Sequence, residues 1–299
     1  MKQVLLNPGP VTLSERVRAA LTRGDWCHRE PEFAALMQSI NARLARVYEE
    51  TADAYEAATL TGSGTSAVEG MLQSFAPRDA RTLVVSNGVY GERMANMLRM
   101  QGKPYVCTEG EWLEAIDMTT VNTLLAQYPD VQAVAVVHHE TTTGRLNDLT
   151  ELGELCKARG LDLLLDAVSS FAAEDIEFDA WNIGAVAATA NKCLHSVPGL
   201  SFVLARQELW QRSSQAGSVY LDMHSYHKAQ HANGFSPFTQ SVQPAFALDV
   251  ALDELAQSGG WEQRGATYGA RAERIAATLD GLGIQTLLPR DQYSSILWT

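Results

Sequence analysis

Short, almost wholly apolar runs recur along this chain, and stretches of helical spacing lie between them. The runs are 82–86 (TLVVS), 132–138 (QAVAVVH), 161–166 (LDLLLD), 185–189 (AVAAT) and 200–204 (LSFVL). A strand with one wet face alternates polar and apolar residues, whereas a strand covered on both faces is apolar throughout. Residues 64–75, 91–101 and 148–158 read as the intervening helices. Strand and helix in alternation predict an α/β fold around a mostly parallel sheet. With 299 residues, 46% of them hydrophobic and 19% charged, there is enough apolar chain to bury such a sheet.

The pattern changes after Pro244. Residues 245–257 and 262–282 read as long helices, Gly283 as a helix stop, 284–288 as a strand and 294–298 as a further strand-like run. No turn or cap follows that last run, so it is expected to belong to a domain longer than this sequence. The expected division is a large domain over 1–260 and the start of a smaller C-terminal α/β domain over 261–299.

A net charge of −12 argues against a nucleic-acid partner held through phosphates. Any anionic ligand must be held by specific donors instead. The first residues, Met1 to Pro8, contain no apolar stretch long enough for a membrane span or signal peptide. Cys27, Cys107, Cys156 and Cys193 form no CxxC pair. The expectation is a cytoplasmic protein with reduced, mostly buried cysteines. Cys193 is expected to be a buried neighbour of Lys192 rather than a reactive thiol.

Several strands end in polar residues: Ser86-Asn87-Gly88, His139-Glu140-Thr141, Asp166, and Ala190-Asn191-Lys192. In open α/β sheets ligands bind at the carboxyl ends of the strands, so these clusters share one edge. Thr61-Gly62-Ser63-Gly64-Thr65-Ser66 offers glycines for close approach, hydroxyl donors and a helix N-terminus, which together suit a phosphate group. An ordinary Ser/Thr helix cap has the same sequence. Asp166 places a carboxylate at the tip of a buried strand, which is costly unless it meets a cation. It could cap a helix, ligate magnesium, or hold the protonated nitrogen of a pyridine ring. Lys192 follows a strand of small residues, where partial burial would free its amine as a nucleophile, although most lysines are simply solvated. Taken together, phosphate cup, strand-end acid and strand-end amine point to pyridoxal 5'-phosphate.

The stretches LLNPGPVTLSERV, DWCHREPEF, LTGSGTSAVEGML, SNGVYGERM, VHHETTTGRLND, LLLDAVSSFAAE, ATANKCLHSVPGLSFVLA and SPFTQSVQPAFAL carry a narrower signal. In this order the chain resembles the fold-type I, class V aminotransferases that depend on pyridoxal phosphate, and most closely the 2-aminoethylphosphonate–pyruvate transaminases. The resemblance implies that Lys192 bonds to the cofactor and then shuttles a proton, and that Asp166 pairs with the ring nitrogen. It gives the phosphate to Ser63, Gly64 and Thr65, the ring's phenolic oxygen to Thr141, and a stacking position to Tyr90. Thr239 would reach the cofactor phosphate of a neighbouring subunit, which implies a homodimer with shared sites. The implied substrates are 2-aminoethylphosphonate and pyruvate, the products phosphonoacetaldehyde and L-alanine. The family's substrate arginine is expected beyond Thr299, and His195-Ser196 replaces the residues more usual after Lys-Cys. Alternatives within the fold are an alanine–glyoxylate or serine–pyruvate type aminotransferase, a lyase, or a pyridoxal-binding paralogue without that arginine.

Two further features have plainer readings. His224, His227 and His231 have i, i+3, i+7 spacing, and no carboxylate or cysteine in their stretch completes a tetrahedral metal site. They read as a solvated helix face. A Ser–His–Asp hydrolase with Ser63 as nucleophile lacks the GxSxG elbow, and the strand before Gly62 is short and helix-like in composition.

Overall fold

Neighbouring side chains of a strand point to opposite faces. In the run Asp162–Asp166, Leu163 and Leu165 therefore enter one core and Leu164 the other, all three fully buried. The next strand over does the same, with Val134 and Val136 on one side and Ala133, Ala135 and Val137 on the other. An unbroken apolar run thus serves two cores at once. Each buried leucine or valine contributes about 1.5–3 kcal/mol to the fold.

The computed structural model describes residues 4–299. Its strands are β1 (Tyr55–Gly62), β2 (Arg81–Val85), β3 (Tyr105–Cys107), β4 (Val131–Val137), β5 (His139–Glu140), β6 (Arg145–Leu146), β7 (Asp162–Asp166), β8 (Ile183–Thr189) and β9 (Gly199–Arg206). All but β5 and β6 form one sheet in the order β1-β9-β8-β7-β4-β2-β3. Only β9 runs against the others, pairing antiparallel with both β1 and β8. The tips of β1, β8, β7, β4 and β2 consequently lie along one edge.

The helices are α1 (Glu15–Ala20), α2 (Pro31–Leu44), α3 (Gly64–Phe75), α4 (Val89–Met100), α5 (Met118–Gln127), α6 (Thr150–Arg159), α7 (Gln207–Trp210), α8 (Met223–Asn233), α9 (Val242–Gln257) and α10 (Gly260–Gly281). One core joins α2, α5, α6 and α9 to the sheet, and the other joins α3, α4 and α8 to its opposite face. The result is the expected three-layer α/β arrangement.

Three local expectations fail. The strand before Gly62, expected to be short, runs for eight residues from Tyr55 to Gly62. The cause is tertiary, because every residue of β1 from Tyr55 to Gly62 pairs with β9. Residues 284–288 and 294–298 are not strands. A strand needs a neighbour for its N–H and C=O groups, and around these runs only an isolated bridge between Arg145 and Tyr293 forms. The cysteines are less buried than expected: Cys156 and Cys193 are buried, but Cys107 is half-buried and Cys27 exposed, and all four are free.

Candidate active site

The turn from β1 into α3 is built on two glycines. A side chain at Gly62 would lie 2.1 Å from Ser66 Oγ, and one at Gly64 would lie 2.7 Å from Val168 Cγ1 and 3.3 Å from Thr189 Cβ. Glycine at position 64 thus lets α3 start directly against the ends of β7 and β8. Ser63 is the N-cap of α3 but makes no capping hydrogen bond with its side chain. Its hydroxyl is uncommitted to the helix, beside first-turn N–H groups at the positive end of the dipole. Ser63 and Thr65 are exposed and Gly64 is buried.

Asp166 ends β7 and is 6% exposed. Its Oδ1 accepts a hydrogen bond from Val168 N–H at 3.0 Å, and it makes no ion pair among the described residues. Burial raises its pKa to about 6, with the Glu140 charge adding to the rise and the charges of Arg93 and Lys192 opposing it. Such a carboxylate is suited to a cation brought by a ligand.

Lys192 lies in the turn after β8, half-buried. Burial lowers its pKa, while Cys193 and Asp166 pull it back up. Asp166 and Lys192 therefore feel each other's charge. The N-terminal segment closes over Lys192, and a Cβ at Gly9 would stand 2.3 Å from Lys192 Cδ. The resemblance of LLNPGP to the family is legible in sequence, but this contact is not.

Tyr90 is at the start of α4, half-buried, in a cleft it lines with Thr65, Arg93 and Asp166. The Arg93 guanidinium sits over the Tyr90 ring, 4.6 Å from its centre. Glu140, fully buried at the end of β5, holds this corner together. Its Oε2 accepts from Tyr90 N–H at 3.0 Å, and its Oε1 accepts from Thr142 N–H at 3.1 Å and Thr142 Oγ1–H at 2.6 Å. Neither Arg93 nor this use of Glu140 follows from the motifs. A buried acid within a threonine-rich turn was the available signal.

Thr141 follows β5 directly and is half-buried. The adjacent His139 is buried, accepts or donates at Ser294 Oγ (2.8 Å), and is kept neutral by burial, its pKa falling to about 4 with the Lys192 charge contributing. Cys193 is buried, and burial pushes its thiol up to about 12, which leaves it unreactive. Thr239 is exposed. Its chain neighbours are tied to the strand before the cup, with Ser241 N–H donating to Thr61 Oγ1 at 2.9 Å and Thr61 Oγ1–H donating to Gln240 Oε1 at 3.2 Å.

The structure thus gathers Ser63, Gly64, Thr65, Tyr90, Thr141, Asp166 and Lys192 at one sheet edge and leaves Thr239 on the surface beside it. A hydroxyl-lined helix start, an unpaired buried carboxylate and a desolvated amine fit the phosphate, ring nitrogen and aldehyde of pyridoxal phosphate. They can hold an anion, keep a ring nitrogen protonated, and move a proton at an intervening carbon.

The profile of the family described as "Aminotransferase class-V" matches residues 15–297. A 2-aminoethylphosphonate–pyruvate transaminase of Burkholderia thailandensis is 37% identical over 305 residues, 99% of this chain and 80% of that protein. A bifunctional phosphonoacetaldehyde hydrolase/aminoethylphosphonate transaminase of Clostridioides difficile is 34% identical over 99% of this chain. The chain spans about half of that relative, 47% of its length. Among solved structures, alanine–glyoxylate aminotransferase from Nostoc sp. superposes with a TM-score of 0.87 at 25% identity, covering 99% of this chain and 78% of that one.

Proposed function

The chain belongs to the class-V aminotransferase family, and on that footing we propose that it moves the amino group of 2-aminoethylphosphonate to pyruvate. The products are phosphonoacetaldehyde and L-alanine, in the degradation of phosphonates, and the cofactor is pyridoxal 5'-phosphate. The relatives named for this reaction support the substrates. The observation that carries the reading is Gly64, whose contact with Val168 and Thr189 brings the cup to the tips that bear Asp166 and Lys192.

When bound, the cofactor supplies an electron sink for the carbon that bears the migrating amine. Ser63, with the Gly64 and Thr65 N–H groups, holds the phosphate at the start of α3. Asp166 keeps a proton on the ring nitrogen, since a buried carboxylate is stabilised by that cation. Thr141 donates to the ring's phenolic oxygen, and Tyr90 stacks on the ring, its backbone fixed by Glu140. Lys192 is the covalent anchor, and its freed Nζ moves the proton from the substrate's amine-bearing carbon. The lowered pKa of Lys192 supports this role, because a neutral amine is needed both to attack and to accept a proton.

Thr239 serves the site of a second subunit, which makes the active form a homodimer with shared sites. Its exposure beside its own cup supports that assignment. We take residues 1–260 as the cofactor-binding unit and 261–299 as part of a smaller one, and the protein as cytoplasmic. Among the described residues no helix is long and apolar enough to cross a membrane.

A coupled assay with 2-aminoethylphosphonate and pyruvate, following alanine, tests the substrate pair. Absence of alanine alongside robust turnover of L-alanine or L-serine as donor would refute it. Independently, Lys192→Ala should lose both turnover and the visible band of lysine-bound cofactor. A retained band in that variant would displace Lys192 as the anchor.

A further inference from the structure

Helix α8 presents only one of its histidines, His231, to solvent. The side chains of His224 and His227 are each only 12% exposed, packed toward β1 and α7. His224 turns away, its Nε2 hydrogen-bonded to Leu209 O at 3.2 Å. His227 and His231 instead converge on Glu56, a β1 residue far from them in sequence. The ligating atoms of Glu56, His227 and His231 all lie within 4.8 Å of one another. The sequence could not reveal this, because the carboxylate comes from a strand 171 residues before His227.

The hydrogen bonds orient these groups. His231 Nε2 faces Ala57 O at 3.3 Å, which places the proton on Nε2 and leaves a lone pair on Nδ1. That Nδ1 faces Glu56 Oε1 at 3.9 Å, so a lone pair and a carboxylate oxygen point at the same space. His227 Nε2 meets the other oxygen, Oε2, at 2.6 Å. The His227 ring is clamped flat on Trp210, with centres 4.3 Å apart and planes 4° off parallel. Trp210 in turn donates its Nε1–H to Glu56 O at 3.1 Å, so strand, indole and imidazole form one rigid frame. Glu56 and His231 also line a cavity of about 330 Å³ with Gln38, Arg46, Gln207 and Gln230.

We propose that Glu56, His227 and His231 bind a zinc ion, with water completing the coordination on the cavity side. Two imidazoles and a carboxylate are a donor set suited to zinc. With zinc–ligand bonds of about 2.1 Å, tetrahedral ligands stand about 3.4 Å apart, so side-chain shifts of roughly 1 Å convert the present spacing. On binding, the His227 proton leaves Nε2 and the ring takes the Nδ1–H form. The ion ties α8 to the edge strand that leads into the phosphate cup, and the overall negative charge favours its approach.

The test uses tag-free, cofactor-loaded protein stripped with a chelator and titrated with zinc chloride against a chromophoric competitor. One zinc per chain should remain after dialysis. His231→Gln and Glu56→Gln should each weaken binding about tenfold or more, whereas Cys27→Ser, which removes the exposed thiol, should not. Cobalt(II) in place of zinc should give the intense visible d–d bands of a four- or five-coordinate site, and His231→Gln should abolish them. No zinc retained by the folded native protein, which would leave an ordinary ion pair, overturns the proposal. So does zinc held equally by all the variants.

Discussion

Asp166 is a carboxylate in surroundings that disfavour its charge. Its folded-state pKa, raised to about 6, means that the folded protein binds this proton more tightly than the unfolded chain does. The stabilisation is complete below the unfolded carboxylate value and is lost as pH rises through 6, a loss of about 3 kcal/mol at most. Asp166→Asn is neutral and nearly isosteric, and it keeps Oδ1 for the Val168 N–H. In cofactor-free protein at mildly alkaline pH it should raise stability by about 1–3 kcal/mol in urea unfolding, while nearly abolishing turnover. An unchanged urea midpoint, or turnover near the native rate, would remove Asp166 from the ring-nitrogen position. Asp166 and Lys192 were legible because a charged residue just past a buried apolar run is conspicuous in any sequence. Arg93 over Tyr90 was not, and neither was Gly9 against Lys192, because each depends on how elements dock.

At the scale of elements, α3 has a consistent polarity. Its N-terminus forms the proposed phosphate cup, and its C-terminal carbonyls are closed by a buried ammonium. Lys103 Nζ donates to Leu72 O at 2.9 Å, Gln73 O at 2.7 Å and Ala76 O at 2.5 Å. Burial lowers the pKa of that lysine to about 7. The N-terminal contact can be tested by Gly64→Ala. Helix propensity alone would favour alanine by about 0.5–1 kcal/mol. Packing opposes it, since the new methyl would overlap Val168 Cγ1, and overpacking costs typically 1–3 kcal/mol. We expect a net loss of about 1–2 kcal/mol by thermal unfolding and cofactor affinity weakened about tenfold or more. A variant as stable as the parent, with unaltered affinity, would mean that α3 does not seat where it is described. The helices and central strands were readable from period and composition. Strand β1 was readable only as a short one, because its full length is set by pairing with β9. The runs after α10 carry strand composition without a partner to pair with, so composition misled there too.

For the molecule as a whole, the buried histidines set the response to acid. Burial lowers His138 to about 3 and His139 to about 4, and His195 also falls to about 4. Each contributes stability that is fully present above the ordinary imidazole value and is lost as pH falls toward those figures. Asp166 and Glu174, whose pKa values burial raises, work in the opposite direction over part of that range. Burial lowers His224 and His227 as well, so five histidines stand against two carboxylates and leave a net loss on the order of 3 kcal/mol per pH unit between about pH 6 and 4.5. Urea unfolding of cofactor-free protein across that range should show stability declining, and a flat or rising trend would contradict the burial of these rings. The contact between Gly9 and Lys192 bears on how the enzyme comes into being. During synthesis the segment that will cover the lysine emerges first and must wait, unplaced, until β8 and its turn have left the ribosome. Closure of Gly9 over Lys192 is therefore a late event, in which the beginning of the chain is laid across its middle.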